Sequence, residues 1–150
     1  MMSSIKDDKF KSYFMKVAKL AGENSYSRRS KVGAIIVRDG RIISTGWNGQ
    51  PKGFDNCCEE EVFNAETGKV ELKTLPTVIH AEMNAIFWCS KTEIISDNSE
   101  LYVTLSPCVN CALGIIQCGV KKVYYMDEYR DTSGLDLLKK CGIALEQIRV

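Results

Sequence analysis

Histidine is nearly absent from this chain of 150 residues; the single one is His80. Proline is sparse at three, and no stretch approaches the 18 or more apolar residues of a membrane span. A basic excess is missing too, with 20 Lys and Arg against 19 Asp and Glu and a net charge of +1. Proteins that hold long nucleic acid by its phosphates carry such an excess, so the expected partner is small rather than polymeric. No Gly/Pro-rich or Gln/Asn-rich tract occurs, and a hydrophobic content of 45% excludes disorder. Met1 to Lys11 is polar and charged, unlike the apolar core of a secretory signal. The expectation is therefore a cytoplasmic chain, in the host cytoplasm if a phage encodes it, with no membrane partner.

What the sequence does have is enough chain for one domain, 1–150, burying roughly 68–70% of its unfolded surface. It also has seven cysteines, at positions 57, 58, 89, 108, 111, 118 and 141. An odd, irregular set in a reducing compartment points to metal binding or chemistry more than to disulfides. Cys89, Cys118 and Cys141 fall in helical stretches and read as small buried side chains, and Cys57 and Cys58 as loop packing.

Periodicity predicts a helix over 8–21, with Phe10, Phe14 and Val17 as its apolar stripe and Gly22 at its end. Two β-rich runs follow, Val32–Val37 and Arg41–Trp47, separated by the hairpin signal Asp39-Gly40. Residues 48–77 are the least regular part, an insertion at about 50–77 whose acidic middle, Cys58 to Ala65, reads as a short helix. Beyond it come a helix over 80–91, a strand over 101–105, and a helix opened by Pro107. A strand over 121–126, a helix over 135–141 and a strand over 143–148 complete the order. Strands alternating with helices after a hairpin imply a mixed sheet covered by helices, an α/β sandwich.

The chemistry lies in His80-Ala81-Glu82 and Pro107-Cys108-Val109-Asn110-Cys111. Cys108 and Cys111, three apart, share one face in the first turn of a helix, where free N–H groups favour thiolates. His80 also begins a helix. If the intervening strand brings the two starts together, one imidazole and two thiolates form a three-ligand Zn²⁺ site with a fourth position left for water. A closed structural site would need a distant fourth ligand. Glu82 fits the open alternative better, since it can reach the bound water without ligating the metal. A hydroxide nucleophile and a proton shuttle in one pocket perform hydrolytic deamination.

His-x-Glu followed by Pro-Cys-x-x-Cys is the signature of zinc nucleobase deaminases, and the sequence resembles the cytidine deaminase superfamily. Within it, Lys31 to Ile36, Gly46-Trp47-Asn48-Gly49-Gln50-Pro51-Lys52-Gly53 and Thr104 to Cys108 resemble the deoxycytidylate (dCMP) deaminases. Asp55 to Cys58 and Glu128 to Asp131 stand in family-like positions, and the resemblance runs from about residue 10 to 148.

The resemblance implies a cytidine deaminase-like α/β/α three-layer sandwich on a mixed five-stranded sheet. It implies His80, Cys108 and Cys111 as zinc ligands and Glu82 as the shuttle that converts dCMP to dUMP and ammonia for dTMP synthesis. Asn48 would hold the sugar hydroxyl, and backbone near Ala81 and Ser106 the cytosine edge. For the 5′-phosphate, Arg28, Arg29 or Lys31, and Tyr129, are candidates. Such relatives are commonly homohexamers, activated by dCTP and inhibited by dTTP with Mg²⁺. This makes Gly46, Trp47, Gly49, Phe54, Asp55 and Asn56 effector-site candidates, and a loop shared with Asn48 a route for coupling.

Two departures stand out. Trp47 replaces the usual Tyr, and no second His is available for the additional structural zinc of some relatives, although Cys57 and Cys58 remain as thiols. The competing readings are a tRNA adenosine deaminase, which the +1 charge disfavours, and an inactive zinc-stabilised interaction module, which would have no use for Glu82.

Overall fold

The computed structural model describes residues 5–150. Helix α1, Ile5–Gly22, leads into the hairpin of β1, Gly33–Arg38, and β2, Arg41–Trp47. Its turn has Asp39 and Gly40 both at positive φ, 52° and 72°, which matches the right-handed twist of the paired strands. Then come β3, Glu59–Asn64, β4, Lys69–Thr74, α2, Ala81–Lys91, and β5, Ser99–Leu105. The chain closes with α3, Val109–Gln117, β6, Val120–Asp127, α4, Ser133–Lys140, and β7, Ala144–Gln147.

Five strands form one mixed sheet in the order β2-β1-β5-β6-β7. The β1 strand pairs antiparallel with β2 and β5, while β6 runs parallel to both β5 and β7. Period-two alternation along the buried β1 strand sends its side chains to two different cores. Ile35 and Val37 pack with Phe14, Met15 and Ala18 of α1. Ala34 and Ile36 pack on the opposite face with Ala85, Ala112, Ile115 and Leu138, drawn from α2, α3 and α4. The expected three-layer sandwich and five-stranded sheet are therefore present, with one helix on one face and three on the other. Each fully buried Ile or Leu here, such as Ile36 and Leu101, contributes about 1.5–3 kcal/mol.

Several local expectations are corrected. The buried stripe of α1 is Phe14, Met15, Ala18 and Ala21, and Phe10 is exposed, because Met15 and Ala18 are what meets Ile35 and Val37. The acidic stretch 58–65 is not a helix. All of it but its two end residues is β3, paired with β4 in a separate two-stranded sheet whose register runs from Glu59↔Thr74 to Asn64↔Lys69. Pro107 precedes α3 instead of lying in its first turn. Of Cys89, Cys118 and Cys141 only Cys89 is buried; Cys118 is partly exposed and Cys141 exposed. Among the described residues, no helix is long and apolar enough to cross a membrane.

One edge of the main sheet gathers the ends that matter. The register pairs Gly33 at the start of β1 with Trp47 at the end of β2, and Leu105 with Asp127 at the ends of β5 and β6. The loops following the carboxyl ends of parallel strands are where open α/β sheets place ligands.

Candidate metal centre and active site

Two helix starts converge at that edge. His80 is the N-cap of α2 and Cys108 the N-cap of α3, both in extended backbone, and neither uses its side chain to cap its helix. Their carbonyls accept the first helical bonds, from Asn84 N–H at 3.0 Å and Ala112 N–H at 2.9 Å. The side chains are left to face each other. His80 Nδ1 lies 3.3 Å from Cys111 Sγ and 3.6 Å from Cys108 Sγ. All three donor atoms lie within 4.8 Å of one another, the one such group of His, Cys and acidic residues among the described residues. Tetrahedral zinc bonds of about 2.05 Å to nitrogen and 2.3 Å to sulfur imply an N···S edge of about 3.6 Å, so one imidazole and two thiols at this spacing fit Zn²⁺. Cys57 and Cys58 are not part of the group; the Cys57 thiol donates to Glu59 O at 3.1 Å.

The three donors are coupled through their protons, which a bound metal would displace. Hydrogen bonding from Cys111, and then from His80, pulls the Cys108 thiol down to about 4. Cys111 is driven the other way, first by its hydrogen bond with Cys108 and then by burial, so it retains the proton the pair shares. His80 is raised, chiefly by its hydrogen bond with Cys108. Glu82 lies in the first turn of α2, 4% exposed, outside the donor trio. Burial pushes its carboxyl up to about 6, against the opposing pull of its own backbone N–H, His80 and Cys111.

His80, Cys108 and Glu82 open into a cavity of about 430 Å³ lined by residues from five separate stretches of chain, and Cys111 is not among the lining residues. Asn48, His80, Ala81, Glu82, Ser106, Cys108 and Tyr129 all line it, as does Arg29, so eight of the expected site residues come together. Asn48 is already engaged: its Oδ1 accepts from Val32 N–H at 2.9 Å and its Nδ2 donates to Ser30 O at 2.8 Å. The Ser106 hydroxyl accepts from Tyr129 N–H at 2.7 Å, which ties the loop after β6 to the cysteine motif.

Arg28 does not line the cavity; its guanidinium stands 3.6 Å from Glu61 on the surface. Its neighbour Arg29 does line it, and Lys31 does not. None of Gly46, Trp47, Gly49, Phe54, Asp55 and Asn56 lines the cavity. Trp47, Phe54, Asp55 and Asn56 are exposed, and Asp55 Oδ1 accepts from Cys57 N–H at 2.8 Å. Gly49 has a clear positioning role, exchanging both backbone bonds with Ile79 at 3.1 and 2.8 Å and so setting His80 at its place.

Gly46 is buried where β2 touches α2. A Cβ there would stand 2.4 Å from Ala81 O and 2.7 Å from Ala85 N, and neither backbone atom can move aside alone. Gly46→Ala is expected to destabilise the fold by about 1–3 kcal/mol and to displace His80 and Glu82 along with α2. A urea melt together with zinc content checks both parts.

Ser27, Ser30, Val32, Thr74, Val78 and Leu105 also line the cavity and were not foreseen. The buried carboxylate of Glu59 was likewise missed. Burial alone would raise it, but the Ser27 hydroxyl and the backbone N–H groups of Arg29 and Arg28 hold it below the usual carboxylate range. Only a partner some 30 positions away gives that residue its role, and no local pattern reports it.

A family model described as "Cytidine and deoxycytidylate deaminase zinc-binding region" matches residues 8–127. The chain belongs to that family. It is similar to the dCMP deaminase of cyanophage S-TIM5, whose structure was solved in complex with dCMP and dUMP. The two share 43% identity and a TM-score of 0.83, with 99% of this chain and 100% of that one covered. ComE operon protein 2 of Bacillus subtilis is 38% identical over 92% of this chain and 70% of its own length. The deoxycytidylate deaminase of Saccharomyces cerevisiae is 35% identical over 91% of this chain, which spans 44% of the yeast protein. Membership in the family accords with the open three-donor centre and its neighbouring glutamate.

Proposed function

We propose that this chain hydrolyses dCMP to dUMP and ammonia, with Glu82 moving the protons and His80, Cys108 and Cys111 holding zinc. The observation that carries the reading is the buried Glu82 carboxyl beside, but outside, a three-donor zinc-type group in a cavity of nucleotide size. Support for the substrate comes from similarity along the whole chain to the cyanophage enzyme, which was solved with dCMP and dUMP.

Zinc bound by the three donors supplies a water acidified to a pKa of about 7. Glu82, pushed up to about 6, is matched to neutral pH both for accepting a proton and for giving it back. It takes the proton of the water that attacks C4 and delivers it to N3. It then takes the proton of the hydroxyl now on C4 and passes it to the exocyclic amine, so the C4–N bond breaks, ammonia leaves and the C4 carbonyl forms. Ala81 and Ser106 line the cavity beside Glu82 and orient the ring edge, and Asn48 holds the sugar. Arg29, Ser30 and Tyr129 take the 5′-phosphate; Arg29 is the single Arg or Lys among the described lining residues.

The same reading extends to regulation, with dCTP raising and dTTP lowering the rate, Mg²⁺ accompanying the triphosphate, and the chain working as a homohexamer. Its support is the resemblance and the exposure of Trp47 (38%) and Phe54 (58%) on the loop that carries Asn48.

Ammonia release from dCMP, deoxycytidine and adenosine by zinc-loaded protein, with and without dCTP or dTTP plus Mg²⁺, tests the whole. Turnover of dCMP alone, changed in opposite directions by the two triphosphates, is expected. Equal turnover of deoxycytidine would remove phosphate recognition from the reading, and turnover of adenosine instead would replace it.

A further inference from the structure

The β3–β4 hairpin is most solvent-exposed at its tip, yet its base is wired into the active-site rim. Glu59 and Thr74 face each other as the closing pair of the hairpin. Both reach the same loop, 27–30, which lies far from them in sequence. One oxygen of the Glu59 carboxylate, 3% exposed overall, accepts from Ser27 Oγ at 2.6 Å, Arg28 N–H at 3.0 Å and Arg29 N–H at 3.1 Å. Thr74 Oγ1 accepts from the Arg29 guanidinium at 3.4 Å and itself lines the cavity. Cys58 O, one residue before the pair, accepts from Leu75 N–H, one residue after it, at 2.9 Å.

The loop's remaining donors are used as well. Ser27 N–H goes to Ser25 Oγ at 3.1 Å and Ser30 N–H to Ser27 Oγ at 3.2 Å. Every backbone N–H from Ser27 to Ser30 is therefore committed inside the protein, and the Glu59 carboxylate fills the place an anion would take among them. On this loop an anionic ligand is left with side chains to meet. Arg29 is the cation available there, since Arg28 turns outward to Glu61.

We propose that Glu59 and Thr74 are positioning residues that aim Arg29 into the cavity, making the hairpin base the element that selects a nucleoside monophosphate over the nucleoside. Glu59 fixes the backbone from which Arg29 projects, and Thr74 fixes the end of its side chain. The inference rests on the dCMP reading above and deepens it, because it places phosphate selection in a segment remote from the metal.

The test is calorimetric titration of zinc-loaded wild type, Glu59→Gln and Thr74→Val with dUMP and with deoxyuridine, a pair differing only in the phosphate. In wild type dUMP binds more tightly. Glu59→Gln is expected to weaken dUMP about ten-fold and Thr74→Val about three-fold, with deoxyuridine affinity within about two-fold of wild type in both. The kcat at saturating dCMP stays within about two-fold, while KM rises in step with the dUMP dissociation constant. Should Glu59→Gln fail to fold in a thermal melt, Thr74→Val decides by the same ratio, since it leaves the Glu59 bonds intact. Equal weakening of both ligands, or an unchanged preference for dUMP, overturns the proposal while the dCMP reading stands. A wild type that binds dUMP no tighter than deoxyuridine overturns both.

Discussion

Glutamine in place of Glu82 is expected to lower kcat for dCMP by about 10³–10⁴-fold, ~4–5 kcal/mol of barrier, with zinc content unchanged. The two halves of this result come from different parts of the geometry. Glu82 is not one of the three clustered donors, so the metal loses nothing when its charge is removed. The side chain is 4% exposed, and the amide has the same shape, so neither a cavity nor a gross change in packing follows. What disappears is the ability to accept a proton from water and return it to the base, and one group is asked to do both. Kinetics beside zinc analysis of the same preparation checks the claim. A variant that loses zinc and activity together would make Glu82 a metal-site residue, and one that keeps activity would remove it from the chemistry.

Cys111→Ala is the second large effect, expected to remove both zinc and turnover. Cys111 is 2% exposed on α3 and brings its sulfur 3.3 Å from His80 Nδ1, so its loss leaves an imidazole and one thiol. Two donors do not make a site that holds zinc against a chelator. Zinc content after dialysis against a weak chelator is expected to fall from about one ion per chain to below about 0.1. Ligand that binds only the folded state stabilises it, so a strong chelator should lower the melting temperature of wild type and leave that of Cys111→Ala unmoved. Melting curves with and without chelator measure this directly. A Cys111→Ala protein that kept its zinc would place the metal elsewhere.

These two results concern the part of the molecule that was legible in the sequence. His80, Glu82, Cys108 and Cys111 stand in two short stretches whose spacing encodes the chemistry, and each stretch begins a helix. The main sheet was legible for a similar reason, because runs such as Ala34 to Val37 are apolar enough to be buried on both faces. The β3–β4 hairpin was not. Residues 60–63 are exposed on both faces, so Glu59 to Asn64 carries no alternation, and its run of glutamates reads as helix.

The same blindness separates Arg28 from Arg29. Adjacent residues in one loop cannot be ranked by composition; Glu59 across the fold holds both backbone N–H groups, and the side chains part toward Glu61 and Thr74. Gly46 shows the converse case. Its place in a family-like motif invites a ligand-binding role, whereas the backbone of α2, 2.4 Å from where its Cβ would stand, already requires a glycine.

The central claim is that this chain deaminates dCMP by hydrolysis. The most direct measurement is the yield of ammonia and dUMP from dCMP with zinc-loaded wild type, set against the Glu82→Gln protein as the blank. The account predicts both products in equal amounts from wild type and background levels from the variant. Zinc-replete wild type that releases no ammonia from dCMP, or a variant that releases as much, would contradict it.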